Sequence, residues 1–136
     1  MDADSELNRI SDFHGHLGPF VVIGYRMGKV ANRLLGEDPF GKSAVVMTGG
    51  KTPMSCVVDG VQLASGCTLG KGNIGIVDHG LVSSLFISKS KKKSVSLELR
   101  EEILSRIMES EKDQLEQLAT ELFHMPEESL LKISED

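Results

Sequence analysis

The sequence predicts an α+β domain: a mixed or antiparallel sheet with packed helices and a helical C-terminal segment. Three observations predict it. Apolar residues recur at helical spacing between Pro19 and Leu35. Short apolar or alternating runs between residues 43 and 99 are separated by glycines or by a lysine-rich turn. Near residue 98 the character changes, and helix-forming charged residues take over from glycine-punctuated chain.

Each element follows from local pattern. Leu7, Ile10 and Phe13 recur at three-residue spacing, so Asp4 to about Asp12 forms a short helix that stops at a His-Gly-His segment. Pro19 suits the first turn of a second helix, because its missing N–H has no partner there and its φ is already helical. That helix runs to about Leu35 with Val22, Ile23, Met27, Val30 and Leu34 on an apolar stripe, and Gly36 stops it. Gly24 and Gly28, one turn apart, open its surface to another backbone; that contact must offset a propensity cost of about 1 kcal/mol each.

Ser43 to Thr48 reads as a buried strand ending at Gly49-Gly50. Thr52 is the expected N-cap and Pro53 the expected first residue of a third helix, closed by Gly66. Asn73 to Val77 and Leu81 to Ser88 are expected strands, separated by a turn at Asp78-His79-Gly80. Ser94 to Leu99 pairs with the latter through the turn Lys89 to Lys93, giving an antiparallel hairpin. Ile103, Leu104, Ile107 and Met108, then Leu115, Leu118, Ala119 and Leu122, mark two amphipathic helices, followed by a last turn from Pro126.

The 136 residues make one expected domain, 1–136, of which 100–136 is a helical C-terminal extension. With 40% hydrophobic residues, 26% charged and a net charge of −5, the chain is neither disordered nor basic, so nucleic acid is not the expected partner. The first residues are acidic and the early apolar run is broken by Gly24 and Arg26; neither signal peptide nor membrane span is expected, and the cytoplasm is the simplest location. Two cysteines in a chain of this size make no disulfide framework.

Two segments carry candidate chemistry. In Phe13-His-Gly-His-Leu-Gly-Pro-Phe20, His14 and His16 are two apart and share a ligand only if the chain turns at Gly15. The helix start at Pro19 adds unpaired N–H groups, suiting an anion. The segment reads either as a metal or substrate site or as two capping histidines. In Ser65-Gly-Cys-Thr-Leu-Gly-Lys-Gly-Asn73 the spacing rules out a phosphate-binding P-loop, which needs four residues between its glycines and Ser or Thr after the lysine. A smaller concave anion site remains, with Lys71 as charge and Asn73 as orienting amide, against the alternative of a tight connecting loop. Cys56 and Cys67 are eleven apart, which excludes a C-x-x-C site. Cys67, between glycines, is the expected reactive thiol; Cys56 is the expected packed one. Asp59, one turn from Cys56, could orient a histidine but reads first as solvated.

Taken in order, Phe13-His14-Gly15-His16, Pro19, Gly24-Tyr25-Arg26, Cys56-Val-Val-Asp59-Gly60-Val-Gln62, Gly66-Cys67-Thr68 and Gly70-Lys71-Gly72-Asn73 resemble the core of the formylmethanofuran dehydrogenase E-subunit (FmdE) family over roughly residues 10 to 80. The resemblance implies an α+β core, a homodimer, and a cleft holding zinc or another divalent metal and a small anionic ligand. Its metal set here is His14, His16, Cys56 and Cys67; its ligand-binding set is Tyr25, Thr68, Gly70, Lys71, Gly72 and Asn73. It also implies association with a larger oxidoreductase complex, in which other subunits hold the molybdenum cofactor and iron–sulfur clusters that this chain cannot. Two positions depart from the pattern: Gly18 stands where the family has cysteine, and Phe20 where it has glycine. The leading expectation is an accessory or binding domain. Alternatives are a small enzyme with Cys67 or a metal-bound water as nucleophile and His16 as proton carrier, and a structural oligomerisation subunit with a vestigial site.

Overall fold

A computed structural model describes all of residues 1–136. Helix α1 (Ala3–His14) starts where the Asp2 side chain accepts from the Ser5 N–H at 2.8 Å, and ends at Gly15, whose φ of 103° turns the chain. Helix α2 (Pro19–Leu35) begins with Pro19 in its first turn, as expected, and is buried along most of its length. Strand β1 (Lys42–Thr48) alternates buried and half-buried residues.

The entry to the next helix departs from expectation. Thr52 is no cap and Pro53 does not open an α-helix: their peptide bond is cis, and Met54–Cys56 form a tighter 3₁₀ turn closed by Cys56 N–H to the Pro53 carbonyl. Helix α3 (Val57–Ser65) starts only after that turn and stops at Gly66. Strands β2 (Ile74–Asp78), β3 (Ser83–Ser88) and β4 (Lys93–Leu99) follow, with β3 and β4 antiparallel across the lysine turn.

Helices α4 (Glu101–Glu109), α5 (Leu115–His124) and the single turn α6 (Glu127–Leu130) make the C-terminal part helical, as expected. It does not end there. Leu131–Glu135 form a strand, β5, antiparallel to β4. The sheet is mixed, in order β2-β1-β3-β4-β5, with only β1 and β2 parallel.

One core lies between the helices and one face of this sheet, where Val46, Phe86, Val95 and Leu97 meet Ile23, Met27, Val30 and Leu122. The closest helix contact is α2 on α3. A Cβ on Gly24 would lie 1.9 Å from the Val57 carbonyl oxygen, and one on Gly60 2.0 Å from that of Val21. Only hydrogen fits at either position, so the expected backbone approach is real and its partner is α3. No helix is long and apolar enough to cross a membrane.

Candidate functional site

The α2–α3 contact sets the site, because it carries the first turns of α3 against the turn between α1 and α2. Asp59, in the first turn of α3, reaches His14 at the end of α1, with Nδ1 to Oδ2 at 2.6 Å. The His14 side chain is only 9% exposed and the Asp59 carboxylate 41%. A carboxylate on Nδ1 holds that nitrogen as the proton carrier and leaves Nε2 as the lone-pair side of the ring.

Gly15 turns the chain so that His16 comes back beside His14, their ring centroids 4.8 Å apart. The His16 ring sits over the start of α2. Its Cε1 is 2.9 Å from where a Cβ on Gly18 would stand. A side chain at Gly18 would meet the imidazole there and displace it.

His14, His16 and Cys56 line one cavity of about 470 Å³, together with Gly18 and, from the C-terminal segment, Lys112 and Glu116. Cys56 is half-buried, and burial first, then the nearby Asp59 carboxylate, pushes its thiol above the ordinary range. At neutral pH it is a thiol and not an activated nucleophile.

The two cysteines reverse their expected burial, but neither is an activated thiol. Cys67 is fully buried in the core, its N–H on Ser65 Oγ at 3.1 Å and its thiol facing the Lys42 carbonyl at 3.6 Å. A group in that position reaches neither solvent nor the histidines' cavity, so Cys67 is packing and neither nucleophile nor ligand here. No three His, Cys, Asp or Glu side chains converge on a point, so there is no preassembled metal centre.

The Gly-Lys-Gly loop does not join this cavity. Thr68 and Gly70 to Lys71 line a separate hollow of about 360 Å³, with Phe13, Gln62 and Leu69. Its N–H groups are largely taken: Thr68 by Asn73 Oδ1, Leu69 by Gln62 Oε1, Lys71 by the Thr68 carbonyl, and Gly72 by the carbonyls of Thr68 and Leu69. Asn73 also donates to the carbonyls of Pro39 and Lys42. The expected concave anion site fails on this count, since donors already paired inside the loop are not offered to a ligand. Lys71 lies over the Phe40 ring, 5.4 Å from its centroid.

Tyr25 lies outside the cavity as well. It is buried against Ile10 and Val21, and its hydroxyl donates to Glu6 at 2.7 Å; desolvation, then Glu6, raises its pKa. Its neighbour Arg26 donates to the carbonyls of Leu122 and Phe123, both at 2.8 Å, near the end of α5. The Tyr-Arg pair therefore fastens α1 and α5 to α2. Sequence reading missed Lys112, Leu115 and Glu116 as a cavity wall, for nothing local marks residues so far downstream as neighbours of His16. Asp59 did carry a signal, its one-turn spacing from Cys56.

A family model described as FmdE, molybdenum formylmethanofuran dehydrogenase operon, matches residues 13–132. A protein of Archaeoglobus fulgidus named as a probable S-adenosyl-L-methionine-binding protein is 32% identical over 107 residues, covering 77% of this chain. The chain spans 29% of that protein's length. The crystal structure of a tungsten formylmethanofuran dehydrogenase FmdE-like protein from Syntrophus aciditrophicus superposes with a TM-score of 0.68 at 23% identity, over 98% of this chain and 71% of that one.

Proposed function

The chain belongs to the FmdE family, and from that premise we propose that it is an accessory binding domain whose working site is the cavity of His14, His16 and Cys56. The observation that carries this reading is the His14–Asp59 pair, which orients an imidazole at the edge of a cavity already holding a second imidazole and a thiol. Such a carboxylate partner is the usual support of a metal-ligating histidine. Zinc or another divalent ion suits the donors His14, His16 and Cys56. Because three donors do not converge, the ion is held with a small anionic co-ligand, for which Lys112 and the start of α2 supply positive potential. The wider role is that of a small subunit serving an oxidoreductase complex.

Equilibrium dialysis against zinc tests this. Wild-type protein is expected to take up one zinc per chain, and His16→Ala and Asp59→Asn to weaken uptake about tenfold or more. Uptake that is absent, or equal in all three proteins, ends the metal reading.

A second reading has its own support. The same cavity sets Lys112 and Glu116, of opposite charge, beside apolar Leu17, Phe20 and Leu115, which suits an organic zwitterion. The Archaeoglobus fulgidus relative's name puts S-adenosyl-L-methionine first among these. Calorimetry with that compound is expected to give a Kd of about 100 µM or tighter, weakened in Lys112→Ala. No heat with the wild type removes it.

A further inference from the structure

The hairpin tip between β3 and β4 carries more charge than its place in the fold explains. Four of the chain's 15 lysines and arginines stand between Lys89 and Lys93, although the net charge is −5. Lysine commonly guards the edge of a sheet against pairing with another chain. Here β3 and β4 are both interior strands, so the lysines of their turn guard no edge. Lys92 also stands at a φ of 52°, the left-handed region that glycine enters without the strain a lysine bears. The turn gains nothing from a lysine there; what the residue adds is its charge.

That charge borders an uncovered apolar surface. The helices pack on the face of the sheet where Ala44 and Phe86 are buried. On the opposite face Val45 lies across from Leu85, and Ile87, which is 37% exposed, lies across from Ser94. Leu85 and Ile87 from this face and Lys89, Lys92 and Lys93 from the tip line one hollow of about 480 Å³, with Asp136 in its wall. None of the three ammonium groups is ion-paired within the chain. Lys91 turns the other way, its Nζ 3.1 Å from where a Cβ on Gly36 would stand at the end of α2.

We propose that this hollow docks an acidic segment of a partner protein, one that carries apolar side chains between its carboxylates. The apolar groups of that segment bury against Leu85 and Ile87, and its carboxylates take the three ammonium groups. The same features disfavour other occupants. A second copy presenting the same tip would set lysine against lysine. Nucleic acid binds through an extended row of phosphate contacts or through bases stacked on aromatic rings, and the hollow is short, has no aromatic lining and includes the Asp136 carboxylate. The proposal stands apart from the histidine cavity, with which the hollow shares no residue.

Fluorescence anisotropy on the full chain, with a short labelled peptide of alternating glutamate and leucine, tests this. Binding is expected to weaken about tenfold or more when Lys89→Gln, Lys92→Gln and Lys93→Gln are combined, and about fivefold in Ile87→Ser, which keeps every charge. A peptide of glutamate alone is expected to bind about fivefold more weakly than the alternating one. Lys92→Gly separates docking from folding: with the left-handed strain relieved, its urea midpoint is expected to hold or rise, while loss of the ammonium weakens peptide binding about twofold or more. No binding of the alternating peptide, equal binding by wild type and the triple variant, or tighter binding of an oligothymidylate or of phosphatidylserine vesicles overturns the proposal. So does self-association of the wild type that the triple variant abolishes.

Discussion

Residues 14–20 and 66–73 are both glycine-bearing turns beside α3, and both are anchored on that helix, one by Asp59 and the other by Gln62. They treat their polar atoms in opposite ways. In the loop, Asn73 takes the Thr68 N–H and gives its own hydrogens to Pro39 and Lys42, Gln62 takes the Leu69 N–H, and the Lys71 and Gly72 amides bond within the turn. In the histidine turn only His14 Nδ1 has a side-chain partner, and both rings line a cavity. The first arrangement makes a rigid strut between α3 and β2; the second keeps donors and acceptors for something else. A glycine-rich loop is a ligand site only when its amides lack partners of their own.

The largest effect should come from removing the support common to both regions. Gly60→Ala drives a Cβ into the Val21 carbonyl and is expected to cost about 3 kcal/mol or more by urea denaturation, abolishing ligand uptake with it. A loss below about 1 kcal/mol would show that α2 and α3 can part without consequence. Asn73→Ala separates the regions: it leaves Thr68 N–H and two carbonyls without their partner, and is expected to cost about 2 kcal/mol while leaving zinc uptake at the histidines unchanged. If uptake falls in proportion to stability, the loop belongs to the site after all.

The smallest effect is kinetic and compares the two thiols. Burial and Asp59 raise the Cys56 pKa, so its thiolate fraction is lower than a free cysteine's at neutral pH and grows as pH rises. Iodoacetamide should therefore label Cys56 more slowly than a free thiol at neutral pH, accelerating in the alkaline range. Buried Cys67 should label only on unfolding. Fast labelling of Cys67 in the native protein would restore it as the nucleophile.

Most of the fold was legible. The Pro19 start, the Gly36 and Gly66 stops, the β3–β4 hairpin and the glycine approach on α2 are local or single-face signals, and each appears as expected. β5 was not, because Leu131 to Glu135 is short and its strand character comes from pairing with β4. Of the cavity, His14 and His16 were readable from their spacing as able to meet across a turn at Gly15, and their rings do so. The reversed burial of Cys56 and Cys67 was not readable, since burial depends on which way the loop after α3 folds against β1. The Gly-Lys-Gly segment misled for a related reason: glycine content does not reveal that Gln62 and Asn73 side chains already hold its amides.

Arg26 grips the last carbonyls of α5 from ninety-six residues away along the chain, and the same C-terminal segment brings Lys112 and Glu116 to the histidines. Contacts of that sequence separation close a long loop, which slows folding more than it lowers stability. The cavity therefore rests on a long-range contact and not on local structure alone. A chain still emerging from the ribosome holds its two histidines with no opposite wall, and gains that wall only when Lys112, Leu115 and Glu116 have been made and folded back.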